Sequence, residues 1–147
     1  MMMVGSHALL LHGFDRTPRD RDLIATHEEA VRFINMVGFK TVIPSAKGTT
    51  LICRDIPKLP PANFQDGINL PYELMIAWPG SSTEAILRLA DGSRLEAPLN
   101  VLYLLKMSHR YLKNSPHFEK TRRDILEMRE RGAVIAHPDI LKTREKE

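Results

Sequence analysis

Two short groups of residues near the start of the chain have the types and spacing that phosphoryl chemistry uses. Gly5 and Ser6 precede a short apolar run, and Asp20 and Asp22 alternate with arginines further along. Side chains at i and i+2 of a strand point to the same face, about 7 Å apart. Two carboxylates held in this way repel each other, and Mg²⁺ commonly relieves that repulsion. Since a Gly-Ser turn at a helix start offers N–H groups to a phosphate, the two groups together predict a nucleotide-handling site.

Local patterns predict the elements that must position these residues. Residues 6–13 form a short helix with Ser6 as N-cap, and residues 20–26 form a strand that carries both aspartates. Thr26 then caps a second helix, which Gly38 ends. The apolar residues of this second helix that repeat at helical spacing predict its buried face: Ala30, Val31, Ile34 and Val37.

The rest of the chain completes an α/β or α+β fold with a mixed sheet. Further strands are expected at residues 41–43, 49–54 and 72–78, with a loop at residues 57–70. A helix follows Ser81 or Ser82, and helices at residues 99–112 and 117–131 form a hairpin before a last short helix near Pro138. We therefore predict one domain over residues 1–147, with a sheet-containing core at 1–97 and a helical part at 98–147.

Composition excludes several classes of protein. The 147 residues are 43% apolar and 27% charged, with a net charge of +3, which is typical of a globular domain. The apolar runs are too short to span a membrane, and the N-terminus does not resemble a signal peptide. Cys53 is the single cysteine, so an internal disulfide is excluded. We expect a cytoplasmic protein that does not bind membranes.

The order Gly5-Ser6 and then Asp20-x-Asp22 resembles the nucleotidyltransferase superfamily, which has the polymerase-beta-like fold. The chain looks most like the small nucleotidyltransferase-like proteins of bacterial abortive-infection and toxin systems. That family places a third carboxylate, more often an aspartate, on a neighbouring strand, and Glu73 stands in such a strand here. The family's helical half carries a lysine and a downstream Arg-Asp element, to which Lys106 and Arg123-Asp124 are similar.

The resemblance implies an activity and a set of roles. Mg²⁺ or Mn²⁺ held by Asp20 and Asp22 would bridge the β- and γ-phosphates of a nucleoside triphosphate such as ATP. Glu73, with a second ion, would lower the pKa of the attacking hydroxyl. The nucleotide would be bound by further residues, namely Gly5, Ser6, Lys106, Arg110 and Asp124. The predicted enzyme is a nucleotidyltransferase that modifies a hydroxyl on RNA, protein or a small molecule.

Other interpretations of the same residues stay open. The basic stretch 106–131 is either a solvated helical face or a wall facing a phosphate-bearing ligand. The polar block 108–124 contacts the nucleotide or acceptor, or it forms structural salt bridges such as Asp124 with Arg110. A member without catalysis would bind nucleic acid or a protein through the same fold. A metal-dependent phosphohydrolase is the third possibility, and it would use His109, His117, Asp124 and His137.

Overall fold

The computed structural model describes residues 1–46, 48–55, 70–90, 92–108, 116 and 118–140. The fold is α+β with a mixed sheet, as predicted. Its strands are β1 (Met2–Val4), β2 (Arg21–Ala25), β3 (Thr41–Pro44), β4 (Thr50–Arg54) and β5 (Tyr72–Ile76). Its helices are α1 (Gly5–Leu11), α2 (His27–Val37), α3 (Ser82–Leu87), α4 (Leu99–Ser108) and α5 (Phe118–Glu130). Residues 138–140 are also helical, where the sequence predicts a short helix.

The sheet has the order β1-β2-β5-β4-β3, which puts β5 at its centre. β2 and β5 run parallel, whereas the other neighbouring pairs are antiparallel. The short strand β1 is not predicted by the sequence, and it lies at one edge. Its outer side is closed because Met3 N donates to Leu95 O at 2.7 Å and Ala97 N donates to Met3 O at 2.9 Å.

α2 shows how local sequence signals set the bounds of a helix. The Thr26 hydroxyl accepts from the Glu29 N–H while the Glu29 carboxylate accepts from the Thr26 N–H, and Gly38 ends the helix at a φ of 76°. The buried face is predicted correctly except for Val31, which is 42% exposed. Phe33 takes its place, because it points to the sheet and packs edge-on against Tyr72.

The helical half is built around α4, which is buried on most of its sides and carries the core residues Val101, Leu102, Tyr103, Leu104, Leu105 and Met107. α5 packs antiparallel to it, as predicted for the C-terminal hairpin. Arg129 Nε donates to the Tyr103 hydroxyl at 2.6 Å. Lys106, which follows Tyr103 in α4, pairs with Asp124, which precedes Arg129 in α5. The buried residues of the sheet and of this hairpin form one continuous core.

Some expectations fall outside the described residues. The predicted loop at 57–70 lies outside them except for Leu70, and so does the predicted part of the α4 helix beyond Ser108. Among the helices that the structure describes, none is both long enough and apolar enough to cross a membrane.

Candidate functional site

Three carboxylates predicted from the sequence meet at one edge of the sheet. Asp22 on β2 and Glu73 on β5 are direct neighbours in the parallel register, and Asp20 lies immediately before β2. Each offers an oxygen within 4.8 Å of the others, and all three side chains are half-buried. Among the described residues they have no ion-pair partner. We call Asp20, Asp22 and Glu73 the carboxylate trio.

The opposite face of the same strand pair holds the trio's backbone in place. Arg21 and Tyr72 are also direct neighbours in the register, and both are buried. Arg21 Nη1 donates to the Tyr72 hydroxyl at 3.2 Å, and its guanidinium lies 5.1 Å from the ring centroid. Because strand side chains alternate between faces, this contact sits directly behind Asp22 and Glu73.

The trio is electrostatically strained in the absence of a cation. Burial raises the pKa of Asp22 to about 7, and repulsion from Asp20 and Glu73 contributes, whereas Lys106 acts in the opposite direction. Burial and Asp20 also raise the pKa of Glu73, against a hydrogen bond with Asp22 and the nearby Arg54. A bound cation would remove this strain by compensating the negative charge.

Gly5 is placed so that only glycine fits. Its φ is 73°, a conformation that other residues rarely adopt, and a Cβ there would lie 2.5 Å from Asp22 Oδ2. The first turn of α1 therefore packs directly on the carboxylate trio. The prediction of Ser6 as N-cap is wrong, because α1 starts one residue earlier with Val4 in the cap position and no side-chain cap. Ser6 instead faces the same space as the trio.

These groups line an open cleft of about 520 Å³, which we call the carboxylate cleft. Its lining includes the predicted residues Gly5, Ser6, Asp20, Asp22, Glu73 and Lys106. It also includes residues that were not among the predicted site residues, namely Thr17, Arg19, Lys120 and Thr121. The basic and polar block 108–124 was the signal for Lys120 and Thr121, whereas nothing in the local pattern indicates Thr17 or Arg19.

Lys106 is held on the helical side of the cleft by buried charges. Its Nζ lies 3.0 Å from Asp124 Oδ2, and Asp124 is 1% exposed. Arg16 Nη2 donates to Asp124 Oδ1 at 2.7 Å and to Glu127 Oε2 at 2.8 Å. Asp124 therefore forms salt bridges with Arg16 and Lys106, whereas the partner named from the sequence, Arg110, lies outside the described residues. Through its pair with Lys106, Asp124 is placed to position that lysine at the wall of the cleft.

The remaining predicted residues do not add to the site that the structure describes. Arg110, His109 and His117 lie outside the described residues. His137 is described but belongs to no group of metal-ligating side chains within that part of the chain. Among the described residues, the carboxylate trio is the group whose oxygens lie close enough together to bind one metal ion.

The chain matches two protein families. The family described as "Domain of unknown function (DUF7277)" matches residues 1–90, and "Domain of unknown function (DUF7275)" matches residues 101–147. No curated protein matches the chain. The first match contains the whole carboxylate trio, while Lys106, Lys120 and Thr121 on the other wall of the cleft fall within the second. Because the first match covers more than half of the 147 residues, the chain belongs to the DUF7277 family.

Proposed function

We propose that this protein is a Mg²⁺-dependent nucleotidyltransferase that transfers a nucleotidyl group from a nucleoside triphosphate to a hydroxyl acceptor. The observation that carries the proposal is the carboxylate trio, which lies on and just before two parallel strands and packs against Gly5. The resemblance of the Gly5-Ser6 and Asp20-x-Asp22 order to nucleotidyltransferases supports the same activity.

The trio is chemically suited to a hard divalent cation. All three groups offer carboxylate oxygens, which Mg²⁺ and Mn²⁺ prefer. Two oxygens bound to one Mg²⁺ lie at most about 4.2 Å apart, since each Mg–O distance is about 2.1 Å. The oxygens of the trio lie within 4.8 Å of one another, so the three side chains would draw closer together to bind one ion. We propose Asp20, Asp22 and Glu73 as the metal ligands.

Nucleotidyl transfer joins the acceptor oxygen to the α-phosphorus and breaks the bond to the β-phosphate, so pyrophosphate and one proton leave. A metal ion held by the trio would supply charge neutralisation and an acidified hydroxyl. Lys106 extends into the cleft close enough to affect the pKa of Asp22, and we assign it to the phosphates. Gly5 and Ser6 bound the cleft where the phosphates would approach the backbone.

The experiment is label transfer from each of the four nucleoside triphosphates to bulk RNA and to cell lysate, with Mg²⁺ or Mn²⁺. We expect Asp20→Asn/Asp22→Asn to reduce transfer by at least about 10³-fold, since charge stabilisation at a reacting phosphate is typically worth that much. The matched control is Glu28→Gln/Glu130→Gln, which removes two exposed carboxylates outside the carboxylate cleft. Transfer that survives the Asp20→Asn/Asp22→Asn change would exclude the proposal.

Metal binding separates an enzyme from a fold that only binds a partner. We expect Mn²⁺ to raise the unfolding temperature of the wild-type chain and to leave that of Asp20→Asn/Asp22→Asn unchanged. At about 100 times its dissociation constant, a ligand stabilises the folded state by about 2.7 kcal/mol. An equal response of both proteins would show that the trio is not the metal site.

A further inference from the structure

A second cleft of about 370 Å³ adjoins the carboxylate cleft. Thr17 and Lys120 line both, so the two spaces share a boundary. Basic side chains face the second space from α5, from the residue after it and from the loop between α1 and β2: Lys120, Arg123, Arg131 and Arg16. We call this space the basic cleft, and no role in the proposed chemistry accounts for it.

The acidic residues of the basic cleft are largely neutralised from within. Asp124 is buried and paired with Arg16 and Lys106, and Glu127 accepts from the same Arg16. Asp15 is the acidic lining residue that forms no ion pair within the described chain. Most of the carboxylate charge is therefore compensated before any ligand arrives.

Three cations of the basic cleft remain for a ligand. Lys120 and Arg123 are exposed on α5, and neither has an acidic partner among the described residues. Arg131 lies over Phe14, with its Cζ 4.0 Å from the ring centroid, and its Nη2 donates to the main-chain oxygen of Gly13 at 3.3 Å. A guanidinium held by an aromatic ring and a carbonyl keeps its charge and loses little side-chain entropy when it binds an anion.

We propose that the basic cleft binds the phosphodiester backbone of single-stranded RNA and so delivers an RNA hydroxyl to the carboxylate cleft. A chain of repeating phosphates can cross the shared boundary, because Lys120 lines both clefts and can contact a phosphate there. No described residue that lines either cleft is aromatic, so the structure favours contacts to phosphates over stacking of bases. Binding is therefore independent of base sequence and sensitive to salt.

The role as an acceptor site rests on the proposed nucleotidyl transfer, but RNA binding can be measured without it. The probe is a short fluorescein-labelled single-stranded RNA of mixed sequence, titrated with the full chain by fluorescence anisotropy at several salt concentrations. The same titrations use Asp20→Asn/Asp22→Asn, in which catalysis is removed. We expect this variant to bind RNA at least as tightly as the wild type, because negative charge has been removed beside the path.

The decisive variant is Lys120→Ala/Arg123→Ala, which changes two exposed side chains and leaves the core intact. We expect its RNA affinity to fall about tenfold at moderate salt, and the slope of log affinity against log salt to become shallower by about 1.4, since each single-strand phosphate contact contributes about 0.7. The matched control is Arg32→Ala/Arg88→Ala, which removes two exposed arginines that line neither cleft. We expect that control to bind RNA within about twofold of the wild type.

Two results would overturn the inference. One is unchanged RNA affinity and salt slope in Lys120→Ala/Arg123→Ala. The other is that polyglutamate of the same charge binds as tightly as the RNA and loses the same affinity in that variant. That result would show a general site for acidic polymers such as protein segments. A wild-type chain that does not bind RNA, yet transfers the nucleotidyl group to a small hydroxyl compound, would refute only the inference. RNA binding without any transfer would refute only the proposed function.

Discussion

The two walls of the carboxylate cleft handle charge in opposite ways. On the sheet side, three carboxylates crowd together, and within the described chain none of them has an ion-pair partner. On the helical side, the buried carboxylate of Asp124 is flanked by two cations at 2.7 and 3.0 Å. The same fold therefore pairs a buried aspartate with cations on one wall and leaves three carboxylates without a paired cation among the described residues on the other. The difference is what the proposed metal site requires, since uncompensated carboxylates cluster on the sheet wall while the buried charge of the helical wall is already paired.

The largest expected effect comes from removing the charge that the helical wall compensates. Asp124→Ala leaves Arg16 and Lys106 without their shared partner, and breaking such a buried pair costs about 3–5 kcal/mol. Urea unfolding measures the change. Glu28→Ala, which breaks an exposed pair with Arg32, is the control and should cost less than about 0.5 kcal/mol. A loss for Asp124→Ala no greater than the control would remove the contrast between the walls.

Gly5→Ala tests how closely the sheet wall is packed. Gly5 and Gly80 both have a positive φ, but a Cβ at Gly5 meets Asp22 Oδ2 at 2.5 Å, whereas at Gly80 nothing lies within 4 Å. We expect Gly80→Ala to cost about 1 kcal/mol for backbone strain alone and Gly5→Ala about 2–3 kcal/mol, since Asp22 must also move. Chemical denaturation measures both. In an Asp22→Ala background the extra cost of Gly5→Ala should fall towards that of Gly80→Ala; if it does not, the clash is with something else.

A further test of the sheet wall is the pH dependence of its stability. Because the pKa of Asp22 is raised from 3.8 to about 7, the folded metal-free chain binds more protons than the unfolded chain between these values. The stabilisation present below pH 4 is therefore lost as pH rises through about 7. Asp22→Asn stays neutral, so in the presence of a chelator its unfolding temperature should exceed that of the wild type at pH 8 and approach it at pH 4. Equal unfolding temperatures at pH 8 would show that the trio is relieved without a cation.

The sheet wall is the part of the site that local sequence predicts well. The alternation of Asp20 and Asp22 predicts one shared face, and a second apolar strand with a single acid at Glu73 completes the trio. The structure begins β2 one residue later than predicted, at Arg21, yet Asp20 still lies beside Asp22. Capping signals set the bounds of α2 in the same way, because Thr26, Glu29 and Gly38 act through neighbouring backbone groups.

The helical wall is largely beyond such prediction. Arg16 lies 108 residues from Asp124 in the chain, and no periodicity connects them. Strand β1 is missed because three apolar residues before a helix carry too little pattern, and its pairing depends on β2 and on the segment around Leu95. Ser6 is wrongly assigned as a cap because local sequence does not distinguish a serine at the N-cap from a serine in the first turn of the helix. In each case the deciding contact is tertiary.

The burial of α4 has a consequence for how this family can change over time. The helix belongs to the segment matched by DUF7275, yet its side chains fill the same core as the strands matched by DUF7277. If the DUF7277 segment were joined to a helical segment of different sequence, most of that shared interior would have to repack at once. Single substitutions rarely achieve this. The two matched segments are therefore expected to be inherited as a pair and to diverge in step, while surface positions of α5 that line neither cleft vary separately.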